Sequence, residues 1–326
     1  MDHASDGRLR RRIVAALAGI AMLALTSSVV VGCAPSGGES VRVKPVAQVA
    51  YPEAVATPDI PITENVRYGI AGDVPLVLDI CFPPEATDGT GERAPRPAIL
   101  SIHGGSWRAG DKADPHWRSV CQWLANAGFV TFSVNYRLAP AFTFPAQLDD
   151  VGAAVRWMRE PDQVARYDID PARIGVFGGS AGGNLAALLG VDGSGPLTTG
   201  SRVAAVAELS GPTDLTAAGL GLGITPAAFQ QVELDYLGCA GFEDCPQARA
   251  ASPRYQVDSS DPPFFIGQSL QERIPRQQSD ALVAALRKAG IDTEYVTVSG
   301  DLHSIAMLTP ELRTRIAEFL HAKLGS

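Results

Sequence analysis

The chain has 326 residues, 46% of them hydrophobic and 19% charged, with a formal net charge of −8. That composition excludes a disordered polymer and suits a globular domain long enough to bury a large core. An acidic chain is a poor match for a phosphate backbone, so nucleic acid is excluded as a partner, and no run of like charge marks an interaction tail.

Arg8, Arg10, Arg11 and Arg12 precede an apolar or small-residue stretch from Ile13 to Val31, followed by Gly32-Cys33. A basic segment, an apolar segment and a small-residue cleavage site are expected of an export signal over residues 1–32. The apolar stretch is also close to the length that spans a bilayer, so an uncleaved anchor is the alternative. Val30-Val31-Gly32-Cys33 resembles a bacterial lipobox, which implies a lipid on Cys33 and an exported, extracytoplasmic lipoprotein held at the cell membrane. Residues 33–61, with small residues from Ala34 to Ser40 and then Pro45, Pro52, Pro58 and Pro61, read as a tether and linker. This leaves 62–326 as one folded domain. With Cys33 lipidated, Cys81, Cys121, Cys239 and Cys245 remain, an even number suited to an oxidising compartment. Cys239 and Cys245 sit six apart in a Gly-containing loop that can close a small disulfide ring, whereas Cys81 and Cys121 either pair or stay as buried thiols. No Cys–His spacing resembles a zinc site.

From residue 62 the pattern alternates. Val77–Phe82 is a short apolar run stopped by Pro83-Pro84, and Ala98–Ile102 is apolar on both faces, as a central parallel strand requires. A helix is expected over 116–127, closed by Gly128, then a buried strand over 129–134 and a helix from Pro145 to Glu160 with apolar residues at helical spacing. Ile174–Phe177 is a strand running into Gly178, and Ser180–Gly190 a helix. Strands follow at 203–209, 264–266 and 293–298, with helices over 277–289 and 310–324. Such alternation predicts an α/β fold, a mostly parallel sheet with helices on both faces. Between Gly211 and Pro263 the alternation breaks in a stretch rich in Gly, Ala and Pro, expected to be a small insertion over the active site.

Gly178-Gly179-Ser180-Ala181-Gly182 fits G-x-S-x-G and lies between a strand and a helix. Glycines on either side let the backbone pass closely, the turn pushes the Ser180 hydroxyl out, and the Ala181 amide sits at a helix N-terminus where a developing negative charge is favoured. In this arrangement the order along the chain is nucleophile, acid, base. Among the five histidines, His3, His103 and His116 precede Ser180, and His321 falls in the terminal helix on a face expected to be solvated. His303 follows the strand at 293–298 in a loop and is the candidate base. Asp149-Asp150, at a helix start, reads as structural rather than as a pair of acid–base carboxylates. Trp107, Tyr136 and Phe142 either line a substrate pocket or pack.

Four blocks in order, IHGGSWRAGDK (102–112), NYRLAP (135–140), FPAQLDDV (144–151) and GGSAGGNLAALLG (178–190), resemble the α/β-hydrolase carboxylesterases related to hormone-sensitive lipase and to a bacterial feruloyl-esterase-like group. The resemblance covers about residues 62–325 and implies an α/β-hydrolase fold and cleavage of a small-molecule carboxylic ester, with no metal or organic cofactor. It also implies oxyanion-hole amides at Gly105 and Ser106 beside that of Ala181, with His103 holding the loop. Relatives carry an HGxxDxxVP block before the base, and aligning Pro275 to it puts Gln271 where an Asp is usual and Glu272 one place later. Glu272 is taken as the acid; Asp301 or a degraded triad are the alternatives. A peptidase or amidase of the same fold, or a non-catalytic surface lipoprotein, stays open, and the sequence leaves the oligomeric state undecided.

Overall fold

In the computed structural model the described residues are 60–84 and 95–325. The expected signal over 1–32, the lipidation site at Cys33 and nearly all of the linker lie outside them.

Among the described residues, eight strands form one sheet in the order β1-β2-β4-β3-β5-β6-β7-β8. β1 (Ile62–Ala71) and β2 (Val74–Cys81) make a hairpin through Gly72-Asp73, and β2 runs antiparallel to β4 (Val130–Val134) as well. β4, β3 (Arg96–Ile102), β5 (Ile169–Gly179), β6 (Ala205–Leu209), β7 (Phe264–Ser269) and β8 (Thr293–Val298) are all parallel. The sequence pattern captured only the end of β2 and missed β1, an edge strand with a largely solvent-facing, polar sequence and no apolar run to announce it.

Helices cover both faces. α1 (Pro115–Asn126) and α8 (Pro310–Leu324) pack Trp117, Leu124, Ile316 and Phe319 against Ile99, Phe177, Ala207 and Phe265. Both begin with a side-chain cap followed by proline: Asp114 accepts from the His116 amide and Thr309 from the Leu312 amide. On the opposite face α2 (Ala146–Met158), α4 (Ala181–Val191) and α7 (Arg276–Lys288) cover Leu100, Val176, Val206 and Ile266 with Val151, Val155, Leu185 and Leu282. α4 is buried at every position, which explains a sequence apolar on all sides. A short α3 (Pro161–Tyr167), unmarked by any apolar periodicity, joins α2 to β5.

The irregular stretch between β6 and β7 holds α5 (Ala227–Leu237) and α6 (Pro246–Ala250), linked by the Cys239–Cys245 disulfide. It is tied to α4 by the Asn184 side chain, which donates to the Pro212 and Ala251 carbonyls at 2.8 and 3.2 Å. Tyr236 stacks on Trp107 at a ring separation of 4.2 Å, and the Phe144 amide donates to the Tyr236 carbonyl. Cys81 and Cys121 are paired too, with a Cα separation of 5.9 Å, tying the end of β2 to α1.

His321 departs from its expected solvated setting. Its ring stacks on Phe129, 4.4 Å between centroids, and Nε2 lies 2.7 Å from the Ala127 carbonyl, so it fastens α8 to the turn after α1. Helical spacing located the residue but not the turn it meets 194 positions away.

Removing Cys81–Cys121, which spans a separation of 40 residues, is expected to cost about 4 kcal/mol of unfolding free energy through loop entropy alone, against about 2 kcal/mol for Cys239–Cys245 with its separation of six. Denaturant titrations of the two double Cys→Ala variants check that order.

Candidate active site

β5 ends at Gly179 and α4 begins at Ala181, so Ser180 alone makes the turn, at φ 59° and ψ −124°. A side chain rarely holds such a backbone, which costs on the order of 1–3 kcal/mol and persists only where the surroundings fix it. Here they do. The Ser180 amide donates to the Leu209 carbonyl at 2.8 Å, and the Ser180 carbonyl accepts from the Asn184 amide at 3.0 Å. A Cβ on Gly178 would strike the Gly182 carbonyl, and one on Gly182 would strike the Ile102 carbonyl at the end of β3. The two glycines are therefore what lets β3, β5 and α4 close together behind the hydroxyl.

His303, after β8, places Nε2 2.8 Å from the Ser180 hydroxyl oxygen, and its Nδ1 meets Glu272 Oε2. A carboxylate only accepts, so Nδ1 carries the proton and Nε2 is left to accept from the hydroxyl. Glu272 is fully buried at its side chain. Its other oxygen accepts from the Ser210 hydroxyl at 2.5 Å and from Gln268 Nε2 at 2.8 Å. Gln271, at the position where the resemblance expects the acid, points elsewhere. Its Oε1 accepts from the Gly300 amide and its own amide donates to the Gly300 carbonyl, both at 3.0 Å. It staples the loop that carries Glu272 to the loop that carries His303. Asp301 is exposed.

On the other side of Ser180, β3 runs into the 103–112 loop. His103 is buried with Nδ1 2.7 Å from the Gly104 carbonyl, its ring stacks on Tyr136 at 4.4 Å, and the Tyr136 hydroxyl donates to the His103 carbonyl. Burial lowers the His103 pKa and keeps the ring neutral, as a loop-holding role needs. Ser106 and Trp107 both take left-handed conformations, and the Gly105 carbonyl accepts from the Arg108 and Ala109 amides. The loop's far end is anchored by Lys112, whose buried Nζ lies 2.9 Å from both Asp79 Oδ1 and Asn65 Oδ1.

Gly105, Ser106, Ser180 and His303 line a cleft of about 410 Å³ with Asp114, Trp117, Arg273 and Ile305. Ala181 is buried at the head of α4, behind this wall. A larger hollow of about 660 Å³ lies between β8 and α8, but it is walled by the surface pairs Arg315–Glu294 and Lys323–Asp292 and holds none of these groups. None of Trp107, Tyr136 and Phe142 lines the cleft. Trp107 is wholly buried against Tyr236, Tyr136 lies under His103, and Phe142 packs under the Arg137 guanidinium at 5.3 Å. The apolar walls are Trp117 and Ile305, which carry no local motif. Asp150 takes up Arg137 with both oxygens at 2.8–3.1 Å, a structural pairing.

One further acid lies close by. Glu208 on β6 is fully buried, with Oε2 accepting from the Gly211 amide at 2.8 Å. Burial, reinforced by the nearby Glu272 charge, pushes its pKa up to about 8 against the pull of that amide. A neutral Glu208 spares Glu272 a like charge.

The BD-FAE family model matches residues 78–286 of this chain. Esterase LipQ of Mycobacterium tuberculosis is 32% identical over 276 residues, covering 81% of this chain and 62% of its own length. Arylacetamide deacetylase of Bos taurus is 43% identical over 95 residues, 29% of this chain and 24% of its own. The chain thus spans less than two thirds of these curated relatives. A solved truncated form of a carbohydrate esterase from gut microbiota superposes with a TM-score of 0.67 at 26% identity, covering 82% of this chain and 97% of that one.

Between the ordinary carboxylate pKa of 4.5 and about 8, folded Glu208 holds a proton that the unfolded chain has lost. Its stabilisation is full below that window and is lost as pH rises through it. Glu233, also pushed to about 8 by burial, acts with the same sign. Glu208→Gln is therefore expected to flatten, in part, the fall of the urea midpoint between about pH 5 and pH 8.

Proposed function

This chain belongs to the BD-FAE family, and on that premise we propose that it is an exported serine esterase that cleaves carboxylic esters of modest acyl size through Ser180, His303 and Glu272. One observation carries the reading: an unbroken hydrogen-bonded path from Glu272 through both nitrogens of His303 to the Ser180 hydroxyl, at the rim of a cleft. In the first step His303 Nε2 takes the hydroxyl proton as Ser180 Oγ attacks the ester carbonyl. The amides of Gly105, Ser106 and Ala181 receive the negative oxygen, and Glu272 stabilises the imidazolium without taking its proton. His303 then protonates the leaving alcohol. Water, activated by the same nitrogen, releases the acid from the acyl-enzyme. Ester-cleaving names among the relatives support the substrate class, and a cleft of about 410 Å³ with Trp117 and Ile305 as apolar walls suits a short acyl group.

The proposal extends to the ends of the chain. A lipid on Cys33 would hold the enzyme at the outer face of the cell membrane, and two disulfides in the domain agree with an oxidising compartment. The Cys33→Ala protein is expected to lose radiolabelled palmitate and to move from the membrane to the soluble fraction. Retention of both would refute the anchor.

Ser180→Ala and His303→Ala are expected to lower kcat on p-nitrophenyl acetate by about 10⁴–10⁶, and Glu272→Gln by about 10⁴. A fluorophosphonate probe should label Ser180 in the parent protein and not in Ser180→Ala. Absence of labelling and of ester turnover in the parent would sink the enzyme reading; preferential cleavage of peptide anilides over esters would move it to an amidase.

A further inference from the structure

The turn that leaves β6, Leu209-Ser210-Gly211, touches every element that carries the reacting groups. The Leu209 carbonyl accepts the amide of Ser180, and the Ser210 amide donates to the Gly267 carbonyl of β7 at 3.0 Å. The Ser210 hydroxyl spends its one hydrogen on Glu272 Oε1 at 2.5 Å, and it accepts from the Ser304 amide, next to His303, at 3.0 Å. The Gly211 amide is fixed in turn by Glu208.

Two features set this serine apart from a residue that merely fills a polar turn. It is fully buried, and its φ is 55°, a left-handed conformation that favours glycine. A side chain is therefore kept here against the backbone's preference. What that side chain does is defined by geometry. Glu272 Oε1 already receives Gln268 Nε2, and Gln268 is itself held by the Ser279 hydroxyl at 2.9 Å and by donation to the Ile274 carbonyl at 3.0 Å. With the Ser269 amide at 3.4 Å and Ser210 at 2.5 Å, Oε1 has three donors, of which Ser210 is the shortest, and Oε2 is the oxygen left to face His303. The same hydroxyl grips the backbone that carries the base.

We propose that Ser210 is a positioning residue of the esterase: its hydroxyl turns Glu272 so that Oε2 meets His303 and, through the Ser304 amide, keeps acid and base loops in register. The inference rests on the serine-hydrolase reading of this site. Without the hydroxyl, Glu272 Oε1 keeps Gln268 and the Ser269 amide but loses its shortest donor, so the carboxylate is held less firmly and the imidazolium that forms in the transition state is met less well, while substrate binding in the cleft is untouched. The signature is a loss in kcat with little change in KM.

The test is steady-state hydrolysis of p-nitrophenyl acetate by the full chain carrying Ser210→Ala or Ser210→Gly, each alone and with Glu272→Ala. Ser210→Gly suits the left-handed backbone and keeps the test valid where the alanine protein fails to fold. Each single substitution is expected to lower kcat about 10–100-fold with KM within about 3-fold, and the same substitution should cost under about 5-fold once Glu272 is alanine. Ser210→Cys, which retains a weak donor, is expected to recover part of the loss. A kcat within about 3-fold of the parent in both single variants, or an undiminished loss in the Glu272→Ala background, would overturn the proposal. A parent protein that neither turns over ester nor labels at Ser180 would instead refute the hydrolase reading beneath it.

Discussion

The arrangement depends on a backbone contortion at one residue. Ser180 sits at φ 59° and ψ −124° because β5, a central strand, ends at Gly179 and α4 must start at once, with no residue to spare between them. A single turn can reverse strand into helix only where backbone meets backbone, and the Gly178–Gly182 and Gly182–Ile102 approaches supply that closeness. The strain is held by ordinary bonds: the serine's amide is committed to β6 and its carbonyl to α4. Nothing about the hydroxyl's outward position is left to a rotamer of a loop, in keeping with reactive groups being placed most accurately on rigid elements.

Around that fixed point the partners arrive from three separate loops, and each has its own tie. The 103–112 loop is held at one end by neutral, stacked His103 and at the other by the buried Lys112–Asp79 pair. A buried pair is a weak source of stability, because desolvation offsets much of the attraction. Its use here is geometric: Asp79 belongs to β2, so the loop is indexed to the sheet itself. The loops that carry Glu272 and His303 are indexed to each other through Gln271 and Gly300. Division of labour between neighbours follows from this. Gln271 provides register, and Glu272, one methylene longer than an aspartate, reaches the imidazole from the next position.

The elbow and the alternating strands were readable because both are local: glycine spacing, apolar runs and a helix start all fall within a dozen residues. The parallel strands and most helices follow from such signals. What escaped depends on contacts distant in sequence. Glu272 is legible over Gln271 from its place beside the family block, but the bond that orients it comes from Ser210, 62 positions earlier, and no spacing rule connects them. His321 reads as a surface residue until α8 is laid against the turn after α1. Trp107, next to the loop glycines, could line a pocket or pack on sequence alone, and its partner in packing, Tyr236, arrives from the irregular segment. β1 escaped for a different reason: an exposed edge strand need not be apolar.

The stack of Tyr236 on Trp107 makes the segment between β6 and β7 a buttress. It presses on the back of the turn that presents the Gly105 and Ser106 amides, and it contributes no side chain to the cleft wall. Shortening or exchanging that segment would therefore disturb the set of the 103–112 loop before it altered the lining of the cleft. The cleft's apolar lining comes instead from Trp117 and Ile305, so the segment's reach into the site runs through one indole, which meets both Tyr236 and Phe229 of α5.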